Sequence, residues 1–532
     1  MASLPEGQLP VAGGIFQKGT RLEAEILSLN HQGQGVTRVG DLVVFVDGGV
    51  PGDKAEIELT DVRRNYAVAR ITQLRQVSAR RVEPFCGLYP ACGGCQLQHV
   101  SYEAQLEHKR QVVVDALARI GGLRDVTVLP TIGMSEPWNY RNKAQYPVGR
   151  WRIAERPGER QLPAAGRQAG PQPGIAIGFY RAGTHEIIPV EHCHLQNPLN
   201  NRTAKRLFAL LREAGLPAYD ERTGEGLLRH ILVRTNAAGT KALALVVTSG
   251  DGKSGTSRLP GPLAGTLRDR LRMVGERLLA ELPEVVGVLW NVNPRRTNVI
   301  LGQKTALLAG EGRMVDTLDV PGWGELKFVV SATAFYQVNP AQTSVLYKTA
   351  LDGAKIEADG DVIDAYCGVG TMSLFAALRA RRVWGIEESS AAVRDAHENQ
   401  RLNGIVNATF IADKVENALP RLAAQGVRPN TIILDPPRAG CEPVVLDAIG
   451  RMSPERIVYV SCNPSTLARD LARLARFDPQ TGDGATAKDA GDDFVPRRRY
   501  LVTSVQPVDM FPQTSHVEAI ILMTKCGSEA KK

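Results

Sequence analysis

From Ala341 onward the chain alternates short β-branched runs with helical stretches, and several runs end in a residue able to do chemistry. This pattern constrains the fold most. Strands separated by helices pair in parallel through crossovers and form a doubly wound α/β sheet. Asp361-Val-Ile-Asp-Ala-Tyr366 reads as a strand feeding the turn Cys367-Gly368-Val-Gly370, with a helix predicted over 372–379. The next strand, 383–387, ends in Glu387. An acid there can accept hydrogen bonds from both ribose hydroxyls of an adenosine. Ser373 stands where a dinucleotide fingerprint has its third glycine, so no pyrophosphate cradle is predicted and S-adenosylmethionine becomes the better ligand. Strands follow at 408–412 and at 431–434, the latter ending in Asp435-Pro-Pro-Arg438. Amino-methyltransferases carry a similar motif followed by an aromatic residue that stacks the target base. Arg438 in that place counts against amine methylation.

The fifth strand is Ile457-Val-Tyr-Val460, followed by Ser461-Cys462-Asn-Pro-Ser-Thr-Leu-Ala-Arg469-Asp470. Ser465 can cap a helix starting near Thr466. Cys462 then lies at the carboxyl end of a strand, where such sheets bind ligands, and a helix amino terminus favours its thiolate. Taken alone, such a thiol is more often a small buried packing residue. Two more strands, at 502–507 and 517–522, close the domain, with Glu518 near the start of the last.

Cys86, Cys92 and Cys95 are spaced Cys-x5-Cys-x2-Cys among glycines 87, 93 and 94 that let the backbone wrap tightly, and Cys193 offers a fourth thiol. Thiols this close point to a metal centre rather than free core cysteines. Spacing alone leaves a four-cysteine zinc site and an iron–sulfur cluster both open. His192 and His194 rival Cys193 for the fourth place. Eight cysteines in 532 residues are no disulfide scaffold.

Before the cysteines, alternating apolar runs at 22–26, 42–46, 55–59 and 67–71 with Gly-rich turns predict a small barrel of the oligonucleotide-binding type. Arg63, Arg64, Arg70, Arg75, Arg80 and Arg81 against Asp61 give it a basic edge able to track phosphates, or an ordinary solvated face. The barrel resembles a TRAM domain. A net charge of +8 permits a polyanionic partner without requiring one. No apolar run spans a membrane and residues 1–14 lack a secretory pattern. In the middle, 138–146 mixes aromatic, cationic and amide side chains suited to unpaired bases, or to a polar strand. Strands are predicted at 227–235, 241–248, 285–292 and 297–301, helices at 102–120, 200–214 and 267–282, and inserted loops at 155–174, 250–265 and 478–496.

With Asp435-Pro-Pro-Arg438, Ser461-Cys462-Asn463-Pro464-x-Thr466-x-x-Arg469-Asp470, His516-Val-Glu518 and Phe335-Tyr-Gln337 in one chain, the sequence resembles the RNA uracil-C5 methyltransferases. It is most similar to the iron–sulfur, TRAM-containing type acting on 23S ribosomal RNA. The resemblance implies an α/β fold: a Rossmann-like class I methyltransferase domain over 341–526, an OB-like TRAM barrel over 15–77, and an α+β central domain over 78–340. It implies Cys462 as nucleophile towards uracil C6 and Glu518 as the base that removes the C5 proton. Gln337, Tyr366, Glu387 and Asp435 would bind S-adenosylmethionine, and Cys86, Cys92, Cys95 and Cys193 would hold a [4Fe–4S] cluster. The partner would be a uridine in a single-stranded or loop segment of 23S rRNA, with no DNA and no membrane, and the enzyme a cytoplasmic monomer. Two alternatives are a tRNA T-loop uracil-C5 methyltransferase and a non-catalytic RNA-binding protein. A radical methyltransferase would instead use Cys-x3-Cys-x2-Cys to leave one iron open.

Overall fold

A computed structural model of the chain describes residues 9–11, 14–151, 174–250, 266–478, 483–484 and 499–527. The predicted inserts fall almost wholly outside the described residues, as do 1–8 of the amino terminus. Three sheets organise the rest.

The first is a six-stranded sheet built from Arg21–Glu25, Ser28–Leu29, Gly35–Val39, Leu42–Asp47, Lys54–Val62 and Tyr66–Gln76. Arg21–Glu25 pairs with the fifth of these strands and Ser28–Leu29, its continuation, with the third. One bent segment therefore joins both edges and curls the sheet around Ile26, Val44, Val46, Ile57 and Leu59, all nearly inaccessible. Its basic edge is less available than the composition predicts. Arg63 pairs with Asp61, Arg70 with Glu58, Arg75 with Glu23 and Glu56, Arg80 with Glu107 and Arg81 with the buried Asp53. Cross-strand neighbours far apart in sequence supply most of these acids.

The second sheet has the order Ile187–Pro189, Gly174–Tyr180, Lys143–Trp151, Leu228–Thr235, Ala242–Thr248, Val285–Val292, Lys304–Gly310. The Ala242–Thr248 and Val285–Val292 pair is parallel, joined through the helix Leu267–Glu281. That helix and Pro198–Glu213 cover one face. The hairpin Arg313–Val320/Gly324–Ser331 covers the other, where Leu243, Leu245 and Val247 meet Leu318 and Phe328. Burial on both faces explains the unbroken apolar run of Ala242–Thr248. Two predictions fail here. Residues 297–301 form a loop and the strand is Lys304–Gly310; 138–146 alternates buried and partly buried residues past an exposed Asn139, with Tyr140, Asn142 and Tyr146 at most 6% exposed. Tyr146 packs in the core of the sheet and Tyr140 donates to Pro512 O, whereas the partly buried Trp138 lies against the exposed Phe85 ring.

The third sheet has the order Ala408–Ala412, Arg382–Glu387, Asp361–Ala365, Thr431–Leu434, Arg456–Ser461, Glu518–Lys525, Tyr500–Val508. The first five strands are parallel, Glu518–Lys525 runs antiparallel to them, and Tyr500–Val508, antiparallel to Glu518–Lys525, returns to their direction. Strand order reverses between Asp361–Ala365 and Thr431–Leu434, and the crevice beyond such a switch point is the ligand site of open α/β sheets. The fold is thus a class I methyltransferase sheet joined to an amino-terminal TRAM-type barrel.

The helix Tyr102–Arg119 belongs spatially to this third sheet. Val113, Ala116 and Leu117 pack with Leu467, Ala468 and Leu471 of the helix Pro464–Arg476. Ile120, predicted on that apolar face, is 51% exposed. Lys109 Nζ and Asp509 Oδ1 form an ion pair of 2.6 Å with both side chains fully buried. Lys109 also donates to Phe511 O, and Tyr102 Oη donates to Asp509. Among the described residues no helix is long and apolar enough to cross a membrane.

Candidate active site

A cleft of about 1680 Å³ opens beyond the carboxyl ends of the parallel strands. Its lining includes Gln337, Tyr366, Glu387, Asp435, Cys462 and Glu518, so the sequence-predicted cofactor and catalytic residues share one cavity. Local structure explains how each arrives there. Tyr366 directly follows its strand with φ +68°, a left-handed conformation costly for a bulky side chain. Its hydroxyl donates to Glu416 over 3.2 Å. The Glu387 carboxylate accepts from Gly368 N at 3.1 Å and Ser389 N at 2.8 Å, which fixes its position between the Gly-rich turn and the next helix. Lys414 lines the cleft, whereas the Asp413 carboxylate turns to Asn417 and Arg421. Glu387, Glu416 and Asp435 together give the crevice an acidic lining that suits a cation bearing hydroxyl groups.

Three adjacent strand ends deliver the other corner. Thr431–Leu434 runs out at Asp435, Arg456–Ser461 at Cys462, and the antiparallel Glu518–Lys525 starts at Glu518. The register Ser461↔Ala519 carries one step further to set Cys462 opposite Glu518. Pro464 occupies the first turn of the following helix and Asn463 caps it, its side chain accepting from Ser465 N at 3.1 Å. The predicted Ser465 cap is therefore displaced by two residues, because proline with no N–H is suited to the first helical position.

Electrostatics in this corner run against the simple helix-terminus argument. Burial pushes the Cys462 thiol up, and the Glu518 carboxylate adds to the rise, while the Arg438 guanidinium opposes it by charge and by hydrogen bonding. Glu518, 8% exposed, is raised well above the ordinary carboxylate range by burial and then by Asp435, with Arg438 again opposing. Burial lifts Asp435 to about 7. A carboxyl with raised proton affinity is a stronger base once ionised. Arg438, read from sequence as an argument against amine methylation and as part of the Asp435-Pro-Pro-Arg438 motif, is the cation that opposes both rises in this corner. The sequence signal was present in its place three residues after Asp435.

Cys86, Cys92, Cys95 and Cys193 line a separate cavity of about 110 Å³, together with Arg141, Gln98, His192 and His194. All four are free thiols. The segment 86–98 is pinned by Cys86 N to Gln98 Oε1 at 3.1 Å, and Asn201 holds Cys193 through its N at 3.0 Å and its O at 3.0 Å. Burial raises the Cys92, Cys95 and Cys193 thiols, Cys95 to about 12, and neighbouring cysteines add to each rise. Among the described residues no group of three or more His, Cys, Asp or Glu side chains is arranged to hold a metal ion.

The tRNA (Uracil-5-)-methyltransferase family matches residues 298–479 and the TRAM domain matches 16–72. An uncharacterized RNA methyltransferase of Halalkalibacterium halodurans is 40% identical over 506 residues, which cover 95% of this chain and 97% of that one. A counterpart in Clostridium tetani is 37% identical over 97% of this chain and 98% of its own. Among solved structures, the Pyrococcus abyssi tRNA (uracil-54, C5)-methyltransferase in complex with S-adenosyl-L-homocysteine superposes with a TM-score of 0.65. It covers 94% of this chain and all of its own at 23% identity, a likeness of fold.

Proposed function

The chain belongs to the RNA methyltransferases that carry a uracil-5-methyltransferase domain and a TRAM domain, and from that premise we propose that it methylates C5 of a uridine in 23S rRNA through a covalent Cys462 adduct. The observation that carries this reading is the convergence of Asp435, Cys462 and Glu518 at three neighbouring strand ends in one cleft. Uracil C5 is a weak nucleophile. The Cys462 thiolate adds to C6, breaking the C5–C6 π bond and placing carbanion character on C5. S-adenosylmethionine, when bound, supplies the electrophilic methyl group and leaves as a neutral thioether. Glu518 then takes the C5 proton while the C6–sulfur bond breaks, which restores the double bond and frees Cys462. Gln337, Tyr366, Glu387 and Asp435 hold the donor, a role that fits the acidic lining of the crevice. Arg438 supplies positive charge beside the thiolate. The target uridine leaves its stack to reach this depth, so loops and single strands are the substrates.

The four cysteines fit a [4Fe–4S] cluster. They are soft ligands around one cavity. Thiolates are the usual ligands of such clusters. Anaerobically purified protein would be brown with stoichiometric iron; a colourless protein with one zinc would overturn the assignment. The barrel and cysteine-bearing region bind RNA and the enzyme works as a cytoplasmic monomer.

The deciding experiment is incubation with S-adenosylmethionine and RNA containing 5-fluorouridine. Fluorine cannot leave C5 as a proton, so a methylated, thiol-linked complex persists on a denaturing gel with wild type and is absent with Cys462→Ala. A second reading keeps the chemistry and exchanges the RNA for a tRNA T-loop, and it draws on the tRNA (Uracil-5-)-methyltransferase match. Running ribosomal and transfer RNA side by side separates the two. Absence of an adduct with either RNA, despite cofactor binding, would favour a non-catalytic RNA-binding role.

A further inference from the structure

The nucleophile motif holds four polar residues that the chemistry above does not use: Asn463, Thr466, Arg469 and Asp470. Each turns to the segment 436–441, which leaves the neighbouring strand and carries Arg438. Asn463 Nδ2 donates to Arg438 O at 2.9 Å, and the single Thr466 hydroxyl proton is shared between that oxygen and Asn463 O, each at 3.2 Å. Arg469 Nη2 donates to Ala439 O at 3.0 Å and Cys441 O at 3.3 Å. The Asp470 carboxylate, 1% exposed, accepts from Cys441 N at 2.8 Å, Tyr459 Oη at 2.7 Å and Arg469 Nε at 2.8 Å. The two pieces also touch with no room to spare. At Gly440, φ +78°, a Cβ would lie 2.5 Å from Asp470 Oδ2 and 2.7 Å from Arg469 Nη2. Two successive carbonyls of the segment, those of Arg438 and Ala439, thus have helix side chains as donors.

We propose that Thr466, Arg469 and Asn463 are positioning residues that fix the backbone of Arg438 against the helix bearing Cys462, so that the guanidinium stays beside the sulfur. The inference rests on the reading of Cys462 as nucleophile. Arg438 is itself exposed at the cleft rim. A long cation there would otherwise sample many rotamers, and anchoring its main chain limits how far its charge moves from the thiol. The groups facing Cys462 are Glu518 and Asp435 from the flanking strands and Arg438 from the segment, with His516 beside Arg438. Two acids face one cation, so the thiolate depends on where that cation sits.

The test is the pH dependence of Cys462 alkylation by iodoacetamide in the full chain, read by peptide mass. Thr466→Val keeps the shape and removes the donor. It is expected to move the alkylation midpoint upward and slow Cys462 labelling at pH 8 by about threefold to tenfold. Thr466→Ser is expected to restore the wild-type midpoint, and Arg438→Gln sets the largest shift attainable. Cofactor binding, measured on every variant, reports that the fold is retained. A midpoint in Thr466→Val identical to wild type while Arg438→Gln shifts it would overturn the proposal. Turnover by Cys462→Ala would instead overturn the nucleophile reading and leave the alkylation result standing.

Discussion

Replacing Asp435 by Asn tests the electrostatics of the cleft through stability. The Asp435 carboxyl rises from an ordinary 3.8 to about 7 because burial penalises its ionised form. Below about pH 4 the folded and unfolded chains both carry the proton and no cost arises. Between about pH 4 and 7 the unfolded chain has ionised and the folded one has not, so stability falls as pH rises. Above about 7 both are ionised and the penalty is constant. A rise of this size corresponds to about 4 kcal/mol, and access of solvent through the mouth of the cleft trims it to about 2 kcal/mol. Asn is nearly isosteric and carries no charge, so Asp435→Asn should gain on wild type by about 2 kcal/mol between pH 4 and 8. Hydrogen exchange of the Thr431–Leu434 and Arg456–Ser461 amides reads the opening energy of this sheet directly. A stability difference independent of pH would refute the reasoning. So would a gain that is largest at pH 4.

Glu518→Gln should methylate the base and then stall, so that an RNA–protein adduct accumulates with ordinary uridine; full turnover with no adduct would remove Glu518 from the mechanism. Lys109→Met leaves Asp509 charged and unpaired in the interior, and should cost about 3–5 kcal/mol in urea unfolding. The double variant Lys109→Met/Asp509→Leu should recover most of that loss. Gly178→Ala would place a Cβ 1.8 Å from Ile188 O and should destabilise the central sheet, visible as a lowered melting temperature with the cleft electrostatics unchanged.

The methyltransferase half was the more legible part of the sequence. Its strands are buried and its signals are local. A β-branched run, a Gly-rich turn and a terminal acid each occupy a few consecutive residues, as at Asp361–Ala365 and Glu387. Cys462, just past the end of such a run, could be singled out for the same reason. What stayed hidden depends on distance along the chain. Arg75 meets Glu23 and Glu56 only once the barrel closes, so the basic edge was overestimated. The relation of Arg438 to the Cys462 thiol needs two strands side by side. The stretch 138–146 misled because tyrosine and asparagine serve a buried strand and an RNA surface equally well, and only the sheet order decides. Asn463 and Ser465 are comparable caps, and Pro464 between them settled which one acts.

The buried Lys109–Asp509 pair joins residues 400 positions apart, and it bears on how this enzyme could have been assembled or can be re-engineered. A methyltransferase half cut out at 341 would keep Asp509 as an interior charge without its counter-ion and leave bare the groove that Val113, Ala116 and Leu117 fill. The catalytic half is therefore not a portable cassette. A graft onto another RNA-binding scaffold has to bring the helix Tyr102–Arg119 with it, and a recombination breakpoint between that helix and the carboxyl-terminal strands would separate two halves of one folding unit.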